Sequence, residues 1–88
     1  MQFAFYVRQE NKSSLMERFT LFNLCNVDFE DAVELKKSYN RCMSLLGHPG
    51  KIRVVPFTSS EEPPTEFHHE DELNEIYKRN ESQIPAPI

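Results

Sequence analysis

Apolar and polar residues alternate along the first segment: Phe3, Phe5 and Val7 fall on one side, and Gln2, Ala4, Tyr6 and Arg8 on the other. A period of two over so many aromatic and β-branched positions predicts a strand. The next apolar run, Arg18 to Val27, admits two readings. Ser14-Leu15-Met16-Glu17 matches a capping box, which would open a helix with Leu15, Phe19 and Phe22 on one face. Yet Phe19, Leu21 and Cys25 also alternate with Thr20, Phe22 and Leu24, and the polar stretch Glu10-Asn11-Lys12-Ser13-Ser14 has the composition of a hairpin loop. A strand running through Asn26-Val27 into Asp28 also gives a strand-to-helix connection of ordinary length, so the hairpin is preferred.

From Phe29 to Leu46 the period changes to that of a helix. Phe29, Ala32, Val33, Leu35, Tyr39, Cys42, Met43 and Leu46 share one face, with Leu45 on the other side. Asp28 is placed to cap the start, Glu30 and Asp31 suit the positive end of the helix dipole, and Gly47 with Pro49 beyond it writes the stop. Lys36 falls within the apolar face, where its stem can lie on the core while its ammonium reaches water. Lys51 to Phe57 is short, apolar and β-branched and reads as a strand. Pro56 lacks an N–H, which places that strand at a sheet edge or ends it there.

Residues 58–68, rich in Ser, Glu and Pro, read as a linker, and residues 69–81 as a short acidic helix with a thin stripe of Leu73, Ile76 and Tyr77. Residues 82–88, with two prolines, read as a flexible tail. The expected fold is α+β: a compact body over residues 1–57, built as a three-stranded sheet of order 2-1-3 covered on one face by the long helix. The acidic helix follows as an appendage. A right-handed crossover from the second strand to the third puts the first strand in the middle.

Charge sharpens this division. The chain carries −4 overall, but residues 1–55 hold +2 and residues 56–88 hold −6. A strongly acidic terminal third attached to a mildly basic body can steer toward a basic surface. With 88 residues the core is small, and self-association into a homodimer is one way such a chain gains buried surface. The N-terminus shows no basic and apolar leader and the chain has no membrane-spanning run, so a cytoplasmic setting with Cys25 and Cys42 as free thiols is expected. Compact stand-alone chains of this kind are common in phages and mobile elements, an expectation by association alone.

Candidate chemistry is sparse. His48, His68 and His69 do not stand at zinc-site spacing from the two cysteines, and with two glycines the chain has no phosphate loop, dinucleotide turn or nucleophile elbow. The acidic run lacks the alternating oxygen ligands of a calcium loop. No enzyme activity, metal or cofactor is expected.

Two binding functions remain. In the preferred one, the protein is a regulator, inhibitor or adaptor that engages another protein bearing a basic surface, through its acidic segment and edge strand. Phe57, Phe67, Leu73, Ile76 and Tyr77 would be the apolar anchors, and Glu61, Glu62, Glu66, Glu70, Asp71 and Glu72 the charged surround. In the alternative, the uncovered sheet face binds nucleic acid, with Tyr6 and Phe22 stacking bases while Arg8, Lys12, Arg18, Lys51 and Arg53 meet phosphates. Phe3-Ala4-Phe5-Tyr6-Val7 is similar to the aromatic strand of RNA-recognition sheets but lacks the flanking Lys/Arg-Gly pattern. Net acidity also weighs against phosphate binding.

Overall fold

The computed structural model describes residues 1–10, 17–47 and 52–84. The chain runs β1 (Gln2–Glu10), β2 (Glu17–Asn26), α1 (Phe29–Leu45), β3 (Ile52–Phe57), β4 (Glu66–Phe67) and α2 (Glu70–Asn80), followed by a 3₁₀ turn over Glu81–Gln83. The class is α+β. The four strands form one antiparallel sheet of order β3-β1-β2-β4. From Glu17 onward the second apolar run is a strand paired to β1, with Phe3 opposite Cys25 and Val7 opposite Thr20. The competing capping box falls on residues 14–17, of which only Glu17 lies within the described residues, and there it belongs to β2.

Two corrections follow for the sheet. It has four strands rather than three, because Glu66 and Phe67, in the stretch read as linker, pair with Thr20 and Phe19. Arg18 grips Glu66 through Nε to Oε1 at 2.8 Å and Nη2 to Oε2 at 3.0 Å, and the Leu21 amide donates to the Thr65 carbonyl at 2.9 Å. The sheet is also covered on both faces, not one. Phe3, Phe5, Ile52 and Val54 meet Ala32 of α1, with Phe29, Leu35, Tyr39 and Met43 around it. On the opposite face Ala4, Tyr6, Phe19, Val55, Phe57 and Phe67 close around Leu73 of α2, with Leu21 and Ile76 packed alongside. The alternation of β1 therefore supplies two cores.

The long helix begins at Asp28, which has extended backbone angles at the N-cap position but makes no side-chain cap bond. It ends one residue earlier than the pattern predicts. Gly47 follows with φ of 84°, a conformation open to a residue without Cβ, and its amide donates to the Ser44 carbonyl at 3.0 Å. Cys42 and Leu46, assigned to the inner face by periodicity, are exposed.

Candidate functional site

α2 carries six of the eleven residues expected to bind a partner: Glu70, Asp71, Glu72, Leu73, Ile76 and Tyr77. It is held down at three points. Leu73 is 0% exposed within the core. Arg53 of β3 reaches its first turns, with Nη1 donating to Glu70 and Nη2 donating to the Asn74 Oδ1 at 2.6 Å. At the far end, the Asn80 side-chain amide donates to the Pro56 carbonyl at 3.0 Å.

The turn leading out of β3 is tied to the same helix through Glu61. Its carboxylate accepts from the Thr58 amide at 3.2 Å and the Thr58 hydroxyl at 2.9 Å, and it also accepts from the Arg79 guanidinium. The Thr58 amide, followed by the hydroxyl, Arg79 and Asn80, holds the Glu61 carboxyl below the usual carboxylate range. Arg79 thus pairs across the fold with Glu61, not with Glu75 one helical turn away as i,i+4 spacing alone would suggest.

The predicted anchors and charges separate accordingly. Phe57, Phe67 and Leu73 lie in the interior, Ile76 packs against it, and Tyr77 is half-buried with interactions of its own. Their apolar surface serves this chain's own core. Among the predicted acidic residues, Glu61, Glu66 and Glu70 are engaged by Arg79, Arg18 and Arg53. Glu62, Asp71 and Glu72 remain exposed, joined by Glu75 and Glu81. Sequence reasoning omitted Glu75, although its position opposite Leu73 and Ile76 on the helical wheel was a usable signal.

The residues of the nucleic-acid reading are not assembled into a platform. Tyr6 is 0% exposed, edge-to-face with Phe67 at 5.1 Å, and its hydroxyl donates to the Pro64 carbonyl at 2.8 Å. Burial pushes its phenol well above the ordinary range. Phe22 sits on the other face. Arg8, Arg18 and Arg53 are each paired with a carboxylate, of Glu17, Glu66 and Glu70. Lys12 and Lys51 lie outside the described residues, as does His48.

A β-bulge brings a further cluster together. The pairing of β1 with β2 shifts between Phe5 and Tyr6, leaving Phe22 as the extra residue. As a result Phe22 and its neighbour Asn23 both address Tyr39 of α1: the rings stand edge-to-face at 5.0 Å, and the Asn23 amide donates to the tyrosine hydroxyl. Phe5 completes the aromatic group. Lys36, half-buried in α1 as expected, has its pKa lowered by burial and by the nearby Arg53 charge.

Cys25 and Cys42 are free thiols, and among the described residues no group of three His, Cys, Asp or Glu side chains is placed to hold a metal. A shallow groove along the first turns of α1, lined by Phe29, Glu30, Asp31, Val33 and Glu34, offers carboxylates and apolar surface but no nucleophile or base pair. Among the described residues no helix is long and apolar enough to cross a membrane. Comparison with family models, curated proteins and solved structures returned no match to this chain.

Proposed function

We propose that the protein is a non-catalytic binding module, a regulator, inhibitor or adaptor that engages a basic surface of another protein through the outward side of α2. The observation that carries this reading is the docking of Leu73. With that side chain fully buried, the helix is a fixed part of the fold, and Asp71, Glu72 and Glu75 stand exposed on it. Carboxylates held on a rigid element lose less conformational freedom on binding than carboxylates on a loose arm. They also steer oppositely charged partners in a salt-dependent way.

The edge strand plays a smaller part than its apolar sequence suggests. Pro56 has no N–H, and its carbonyl is taken by Asn80. Nucleic acid is not retained as a second reading, because Tyr6 is interior and the described basic residues of that set are paired.

The test is a triple reversal, Asp71→Lys with Glu72→Lys and Glu75→Lys, assayed for capture of a partner from a host extract. The variant should keep the wild-type circular dichroism spectrum and lose the captured protein, and raised salt should mimic the loss. Undiminished capture by a folded triple variant would refute the reading.

A further inference from the structure

The sheet has two edges, and the chain treats them differently. At β3 the edge is blunted by Pro56, whose carbonyl is capped by Asn80. At the other edge, β4 pairs only with Phe19 and Thr20, and the Thr65 carbonyl takes the Leu21 amide. Beyond that point, from Phe22 to Asn26, no described strand pairs with the outer side of β2, the side away from β1.

Backbone direction along this stretch follows from the register. Pro56 has no donor and turns its carbonyl to Asn80, so its polar backbone faces away from β1. Its partner Phe3 therefore faces β2, and Cys25, opposite Phe3, faces back. Leu24 and Asn26 must then direct N–H and C=O to the open side. Side chains add to the exposure: Phe22 is 42% and Leu24 44% exposed, two of the four large apolar residues that stand out from the surface among the described residues.

Apart from the bulge at Phe22, the devices that normally protect such an edge, charge and proline, are missing here. Phe19 to Val27 contains no charged residue, no proline and no glycine, within a chain whose net charge is −4. An uncharged strip offers nothing for a charged partner to recognise. It is, however, the stretch along which two acidic copies of this chain can meet without opposing their carboxylates.

The geometry points to a second copy of this chain as the occupant: β2 pairs antiparallel with β2 of the partner about a two-fold axis at Leu24, joining two four-stranded sheets into one of eight. The open stretch, Phe22 to Asn26, is centred on Leu24, so this register pairs all five of its residues. Leu24 meets its own copy directly, and Phe22 of each chain lies opposite Asn26 of the other. The contact is isologous and closed, so it ends at the dimer. It lies on the opposite edge of the sheet from β3 and leaves the acidic side of α2 free, so it stands or falls independently of the proposed function.

Sedimentation equilibrium of the full chain over a range of concentrations tests this, together with Leu24→Pro and Leu24→Lys. The Leu24 amide points outward, so proline removes a donor to the partner without removing one from the β1–β2 ladder. Losing the two symmetry-related bonds should weaken dimerisation by about tenfold or more. Lysine places like charges across the axis at an exposed position and remains informative should proline perturb the fold. Hydrogen exchange at Leu24 and Asn26 should slow as wild-type concentration rises. A wild-type chain that stays monomeric throughout, or a dimer untouched by Leu24→Lys, would overturn the proposal.

Discussion

Asn80, in the last turn of α2, donates its side-chain amide to the carbonyl of Pro56 on the edge strand β3, and it is buried at both ends of that bond. The pairing solves a problem that proline creates. A proline at a sheet edge needs no donor partner, but its outward carbonyl still requires one once a helix covers it. Replacing Asn80 by alanine leaves that carbonyl without a partner. The expected cost is about 1–3 kcal/mol, read as a lower thermal midpoint of roughly 4–8 °C per kcal/mol for a domain of this size.

Tyr6 separates a structural role from a binding one. Tyr6→Phe removes only the bond to the Pro64 carbonyl and should cost about 0.5–1.5 kcal/mol. Tyr6→Ala leaves a cavity between Phe67 and the sheet and should cost about 3–5 kcal/mol, a large share of the stability of a small domain. Urea titrations of the two variants measure the difference. The buried phenol also gives a spectroscopic signature. Its folded pKa is raised, so the neutral ring stabilises the fold below the ordinary tyrosine value and that contribution is lost as pH climbs past it. Phenolate absorbance from Tyr6 should therefore appear only together with unfolding.

Acid should act through Glu61. Its folded pKa is depressed, so the carboxylate contributes stability above the unfolded value, and the contribution is lost as pH falls through the lower folded one. Urea midpoints of the wild type should decline from about pH 4.3 downward. Glu61→Gln should be less stable near neutrality and show a shallower decline. An identical pH profile for both proteins would show that the Thr58 turn does not depend on this charge.

How far the residues alone reveal this fold depends on which contacts are local. β1, β2, α1 and α2 each carry their own period, β3 its β-branched composition, and caps or turn residues mark several of their ends. β4 carries none. Two residues inside a Ser, Glu and Pro-rich stretch become a strand only because Phe19 and Thr20 present an open edge and Arg18 holds Glu66. The destination of α2 is equally hidden, since a thin stripe of Leu73, Ile76 and Tyr77 looks the same whether it meets a partner or its own body. What settles it is long-range: Arg53 to Glu70 and Asn74, and Asn80 to Pro56. The bulge at Phe22 leaves no mark in the sequence, because the alternation of β2 reads through it.

Removing everything after Phe57 should therefore not leave a folded body, contrary to what a division into body, linker and appendage would suggest. Such a truncation strips Phe67 and Leu73 from Tyr6, Phe19 and Val55 and deletes the partners of Arg18 and Arg53. The fragment should show no cooperative thermal transition and should bind a dye specific for exposed apolar surface. A sharp transition near that of the full chain would show that the face beneath α2 needs no cover.

Leu73 is part of the same interior as Tyr6, and a single substitution tests that directly. In urea unfolding of Leu73→Ala, the midpoint should fall by the equivalent of about 2–5 kcal/mol, the cost of emptying a closed site. An unchanged midpoint would place the helix off the sheet and contradict the account.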